Sequence, residues 1–301
     1  MKIVYHLGVH KTGTTLLQQN MERNSQALRD QGVYCVNGEW PDGIKKLRRR
    51  MRRLQNPDLA TPQHELAETL NKRMLRRAEA AGAKTLLLSE ENFIGNPIHF
   101  EQQWHKEPAR FYPAAATCLK ALTFGFAPAD ITVILYSRAQ EGLLKGHYSE
   151  ALRALEADED FGGFLDRTDI GSFRFDDLLA RMQAVLPGAQ FEVKPFEAIK
   201  GGAERFVADF FAGIGVDARG LDVIAEKVNP GITGWQADRL VELARRQKAG
   251  EVIPRLARKL RNIFEDDTTP KDPIAVPKRH EAAIRNVMSG DLSELLLSQL
   301  G

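Results

Sequence analysis

The sequence predicts a three-layer α/β protein, a parallel sheet flanked by helices, with a helical C-terminal extension. Three observations carry that prediction. Short apolar runs rich in β-branched and aromatic residues alternate with helix-patterned stretches. Two of the runs, 84–89 and 131–137, are apolar almost throughout, as strands covered on both faces must be. The first run empties into a glycine-bounded loop that leads directly into a helix.

The elements follow in order. Strands are expected at 2–7 (KIVYHL), 32–36 (GVYCV), 84–89 (KTLLLS), 131–137 (ITVILYS) and 190–195 (QFEVKP). Helices are expected at 14–30, 62–81, 140–157 and 173–186, so the crossovers are helical and right-handed and the strands parallel. Beyond about residue 203 the pattern is almost wholly helical, over 204–214, 234–248, 253–264 and 278–300, with a Pro-rich turn at 268–277. The expected organisation is one α/β domain over 1–225, carrying a basic helical insertion at about 40–80. Residues 226–301 form the helical extension packed on that domain.

Composition bounds the class. The chain has 301 residues, 43% hydrophobic and 27% charged, which excludes disordered, collagen-like and disulfide-rich classes. Its two cysteines, Cys35 and Cys118, make neither a CxxC pair nor a zinc spacing. No apolar run approaches the ~20 residues of a membrane span, and Met1–Tyr5 lead into a loop without a signal-peptide apolar region. A cytoplasmic, reducing compartment is expected.

The chemistry begins after the first strand. His6-Leu7-Gly8-Val9-His10-Lys11-Thr12-Gly13-Thr14-Thr15 joins that strand to a helix. Backbone N–H groups and the helix dipole make such a junction an anion site. Gly8 and Gly13 have the spacing of a P-loop, yet the lysine is displaced. A nucleotide triphosphatase sets Lys right after the second Gly, then Ser or Thr for magnesium. Here Thr14 stands there and Lys11 lies two residues before Gly13. Strand 131–137 ends in Arg138 rather than an Asp that could serve magnesium. The site therefore reads as one built for an anion held by lysine, hydroxyls and backbone, without a metal. A bare glycine turn would not need a lysine, two glycines and three threonines between 8 and 15.

Lys11-Thr12-Gly13-Thr14-Thr15 resembles the 5′-phosphosulfate loop of sulfotransferases that use 3′-phosphoadenylyl sulfate (PAPS), especially bacterial members similar to carbohydrate sulfotransferases. The resemblance extends to Leu87–Phe93, to Ile134–Arg138, to Val193–Glu197 and to Val207–Phe211, and so spans essentially the whole chain. It implies PAPS as sulfuryl donor and PAP as product. Lys11 would stabilise the leaving phosphate, with Gly8, Thr12, Gly13, Thr14 and Thr15 supplying backbone and hydroxyl contacts. In the family the arginine at position 138 binds the 3′-phosphate together with a serine eight residues on. Position 146 is glycine here, and Ser149, about one helical turn further, is the candidate replacement.

A base must also take the acceptor's proton. Glu90 and Glu91 end the third predicted strand, where ligands of open α/β sheets bind. Adjacent residues point apart, so one of the two faces the site; Glu90 is favoured, and His10 is an alternative by proximity. His6, inside the strand, reads as a core histidine. Two other readings stay open: a P-loop kinase-like phosphotransferase and a non-catalytic anion- or glycan-binding protein.

Forty-two basic against forty acidic residues give a net charge of +2, which hides one segment. Residues 45–53 (KKLRRRMRR) hold seven positive charges, leaving thirty-five basic against forty acidic elsewhere, a net of −5. Ile44, Leu47, Met51 and Leu54 back that cationic face at helical spacing. A carbohydrate or other anionic acceptor, or an anionic surface, is the partner such a segment would attract; no nucleic acid is expected.

Overall fold

A computed structural model of the chain describes residues 1–36, 62–95, 97, 111–225, 231–265 and 270–300, with backbone only at 62–70, Ala257 and Arg261. The basic run 45–53 and the first part of the 40–80 insertion lie outside the described residues.

All five expected strands form: β1 Lys2–His6, β2 Val33–Val36, β3 Thr85–Ser89, β4 Ile131–Ser137 and β5 Gln190–Pro195. They make one parallel sheet in the order β2-β3-β1-β4-β5. The α/β class is as the sequence predicts. β3 and β4 are buried at every residue, whereas β5, at the sheet edge, is only partly covered. The order explains the runs: continuous apolarity marks strands with helices on both sides.

Alternation along the strands sorts the two faces. Val4, Leu87, Ile134 and Tyr136 pack with Leu16, Leu17 and Met21 of α1 (Thr14–Arg23) and with Phe206, Val207 and Phe210 of helix Ala203–Gly213. On the opposite face the buried Tyr5 hydroxyl donates to Leu122 O at 3.1 Å, at the end of helix Ala115–Leu122. His6, two residues on from Val4, shares its face.

Two helices break where the pattern predicts continuity. The expected 14–30 helix divides at Asn24 into α1 and α2 (Ser25–Asp30). The cause is tertiary. The amides of Asn20 and Asn24 exchange pairs of hydrogen bonds with the backbone of Ile224 and Asp222, all between 2.8 and 3.0 Å, strapping 222–224 onto α1. The expected 278–300 helix divides into Lys278–Met288 and Leu292–Ser298, with Gly290 left-handed at φ 71° between them.

The chain forms two compact units, residues 1–138 with 174–228 and 291–301, and residues 139–173 with 229–290. Contacts thus divide it differently from a boundary at 225. In the second unit, helix Gln140–Arg153 packs on helices Gly234–Lys248 and Lys278–Met288. Thr233 and Gln236 form a capping box at the start of Gly234–Lys248. Exposed ion pairs join Lys248 to Asp158 at 2.8 Å and Arg279 to Asp166 at 2.9 Å. In the first unit the last helix packs on β5 and on helix Phe175–Val185. The fully buried Asp291 carboxylate caps both helices, accepting from Phe175 N at 2.9 Å and from the Ser293 hydroxyl at 2.6 Å.

Candidate anion site at the end of the first strand

The chain leaving β1 crosses toward β2, and the chain leaving β4 toward β5. The crevice of this sheet therefore opens beyond the carboxyl ends of β1 and β4. The loop 8–13 sits at that point. Leu7 N donates to Ile134 O at 3.1 Å and Glu90 N to His6 O at 3.2 Å, so the ends of β4, β1 and β3 stay in register into the loops.

The floor of the loop is buried and uncharged. His6 is fully buried, and its Nδ1 pairs with the Ser89 hydroxyl at 2.8 Å, its lateral neighbour in the sheet. Burial, with a smaller push from the Lys194 charge, lowers its pKa to about 3, so the ring is neutral. Tyr136 and Phe210 meet it edge-on, at 5.7 and 5.1 Å. His6 is thus the core histidine that the sequence implies. Gly8 leaves little room for a side chain: a Cβ there would lie 2.1 Å from Thr14 Oγ1, and the threonine hydroxyl would have to turn away. Among the described residues Thr14 Oγ1 and His6 Nε2, both buried beside Gly8, have no hydrogen-bond partner.

The crest is held in an uncommon backbone conformation. Lys11 is left-handed at φ 70°, which costs a non-glycine residue roughly 1–2 kcal/mol. Three contacts hold it there. The Thr12 hydroxyl donates to Val9 O at 2.5 Å, closing the loop on itself. Arg138 Nη1 donates to Lys11 O at 2.6 Å. The His10 backbone N–H donates to the Tyr112 hydroxyl at 2.7 Å. Gly13, at φ 81°, starts α1 without any side-chain cap, and a Cβ there would press on the Phe196 ring at 3.0 Å. The same ring carries the Arg138 guanidinium, 5.0 Å from its centroid. Burial pulls the Arg138 pKa down and the Glu197 carboxylate opposes it; an arginine keeps its charge regardless.

The structure thus gathers Gly8, His10, Lys11, Thr12, Gly13, Thr14 and Arg138 around one loop, with Thr15 in the first turn of α1. Gln18, on α1, donates to Ser89 O at 3.0 Å and ties the helix to the end of β3. There Glu90 is almost completely buried, and its Oε1 accepts from Asn92 N at 3.2 Å and Asn92 Nδ2 at 2.5 Å. It caps the 3-10 turn Glu91–Ile94, in which Glu91 is the first residue and less buried. Ser149 belongs to the second unit, mid-helix, its hydroxyl donating to Lys145 O at 2.7 Å.

Sequence reasoning missed Tyr112, Phe196 and the Asn20–Asn24 strap. Phe196 lies inside a segment already singled out by resemblance, whereas the two asparagines sit within an unbroken helical periodicity. Tyr112 had none, since a lone tyrosine after 111 residues of chain points nowhere by itself.

No family model matches this chain, and no curated protein matches it. Among solved structures it is similar to the crystal structure of a sulfotransferase from Alicyclobacillus acidocaldarius. The identity is 13%, over 84% of this chain and 97% of that one, with a TM-score of 0.47. At that level the likeness carries no argument about chemistry. No described helix is long and apolar enough to cross a membrane.

Proposed function

We propose that this protein is a sulfotransferase that moves a sulfuryl group from PAPS to a hydroxyl or amine on a glycan. The observation that carries the reading is the loop itself. Lys11 stands at a left-handed crest between two closely packed glycines, at the uncapped start of α1.

The residues present suit a bound phosphosulfate. Thr14 Oγ1, which has no hydrogen-bond partner among the described residues, the lysine and the first N–H groups of α1 form a donor set matched to phosphate and sulfonyl oxygens. The donor would supply the sulfuryl group on a good leaving phosphate. Lys11 neutralises charge gathering on that phosphate as the S–O bond breaks, and Thr12, Gly13, Thr14 and Thr15 orient it through backbone N–H groups. Arg138 keeps one arm on the loop and offers the rest of its guanidinium to the 3′-phosphate. A carboxylate at the end of β3, Glu90 or Glu91, takes the acceptor's proton as the new O–S or N–S bond forms. Transfer needs no metal, because Arg138 stands where a magnesium-dependent enzyme wants an acid. The basic segment 45–53 attracts an anionic acceptor.

Thermal shift tests the reading. PAP without metal stabilises the protein, and ATP-Mg alone does not. Stabilisation by ATP-Mg alone would instead favour a kinase, and PAP binding without turnover across a broad glycan panel a non-catalytic binder.

A further inference from the structure

We infer that His6 is a positioning residue for the anion loop: with its proton on Nε2 it donates to Thr14 Oγ1, and so turns the Thr14 hydroxyl proton out to the bound anion. The inference rests on the sulfuryl-donor reading of the loop and deepens it.

The buried donors fix the tautomer. His6 and Ser89 are both buried, and His6 Nδ1 lies 2.8 Å from Ser89 Oγ. Among the described residues that ring nitrogen is the only partner of the Ser89 hydroxyl. A neutral imidazole has one N–H and one lone pair. Were Nδ1 to donate, the Ser89 proton and the Nε2 lone pair would both be buried without a partner. With the hydroxyl donating to Nδ1, only the Nε2–H is left over. A buried donor left unsatisfied costs about 1–3 kcal/mol, so the second arrangement wins. Tyr136 and Phe210 pack edge-on against the ring and hold its plane. The Ser89 carbonyl accepts from Gln18 Nε2 at 3.0 Å, which ties the serine to the helix that carries Thr14.

Thr14 is the complementary half. It is the first residue of α1 and is buried. Its Oγ1 and His6 Nε2 have no hydrogen-bond partner among the described residues. Both atoms border one spot: a Cβ on Gly8 would lie 2.1 Å from the first and 3.4 Å from the second. A hydroxyl has one proton to give and lone pairs to receive. An anion at the start of α1 draws that proton outward, and the oxygen then takes the Nε2–H from below. Each hydrogen bond polarises the next, from Ser89 through His6 and Thr14 to the anion. A lone pair on Nε2 would do the opposite, capturing the threonine proton and turning the oxygen's own lone pairs on the anion. Burial keeps the ring neutral, so its tautomer and not a charge sets the direction.

The tautomer can be read directly. In protein carrying 15N-labelled histidine, long-range 1H–15N correlation at neutral pH identifies the His6 ring by its loss in His6→Asn. Nε2 should resonate as a protonated nitrogen and Nδ1 as an unprotonated one, and Ser89→Ala should mix the two forms. An Nδ1–H tautomer in the parent protein would overturn the proposal without any variant having to fold. Calorimetric titration with PAP supplies the second arm. His6→Asn and Thr14→Val should each weaken binding by up to about tenfold, the worth of one hydrogen bond, and the double variant should lose little more. His6→Gln, whose amide N–H reaches toward the Nε2 position, should recover most of the loss, as replacement of a merely packed ring would not. Fully additive losses, or no recovery with glutamine, would refute the coupling. If the parent binds inorganic phosphate but not PAP, the sulfuryl-donor reading falls and the same cycle read with phosphate decides the coupling. If it binds neither, both fall.

Discussion

The floor and the crest of loop 8–13 lie a few residues apart and are built on opposite principles. The floor (His6, Gly8, Thr14 and Ser89) is buried, neutral and packed closely enough that a methyl at Gly8 would displace the Thr14 hydroxyl. The crest (His10, Lys11 and Thr12) carries the charge, and Lys11 there is backbone-strained and held by contacts from Tyr112 and Arg138. A rigid, uncharged floor fixes where the backbone is. A braced crest then holds the Lys11 backbone at one fixed point. Preorganised positive charge of that kind is what transition-state stabilisation requires.

Substitutions at the two levels should therefore fail differently. The largest effect is expected at the crest. Lys11→Ala should lower the rate of sulfation on the order of 10²–10³-fold, the scale of one lost charge-stabilising donor, with little change in melting temperature. Lys11→Gly sharpens the contrast. It should be equally inactive yet at least as stable as the parent to within about 1 kcal/mol, because glycine relieves the left-handed strain. A clear loss of stability in denaturant unfolding would show that the crest is not strained.

At the floor the sign reverses. Gly8→Ala should cost stability, about 1–3 kcal/mol as overpacking against Thr14, and lose binding only as a consequence. His6 adds a pH dependence. Its folded pKa lies near 3, below the ordinary 6.5, so below pH 6.5 the unfolded chain takes up a proton that the folded chain refuses. Its contribution is complete above pH 6.5 and fades as pH falls toward 3. The loss is about 2 kcal/mol by pH 5. Chemical denaturation at pH 7.5 and pH 5 should show that drop, and His6→Asn should flatten it. The smallest effect belongs to the brace. Arg138→Lys keeps the charge but loses the planar contact with Phe196 and the directed bond to Lys11 O, and should weaken PAP binding about tenfold at unchanged stability.

Much of this was legible in the chain. The strands could be read because burial on both faces leaves continuous apolar runs, and β3 and β4 are buried at every position. The loop could be read because its glycines and lysine sit within six residues, where spacing is geometry. The helix break at Asn24 could not. Helical periodicity runs through it, and only the backbone of 222–224, nearly two hundred residues away, draws the asparagines into the break. Asp291 is a similar case: the expected helix 278–300 runs through it, and neither its capping of the last helix nor its bond to Phe175 N shows in the local pattern.

Local sequence, then, determined the sheet, its parallel sense, the glycine-bounded loop and the displaced lysine, because hydrophobic periodicity and glycine stereochemistry act over one or two turns of chain. Tertiary structure alone decided that Tyr112 meets His10, that Arg138 holds the Lys11 carbonyl and that Phe196 seats both Gly13 and Arg138. Those meetings depend on crossover lengths and on the order β2-β3-β1-β4-β5, which bring the ends of distant strands to one edge. No pattern within a single segment encodes them.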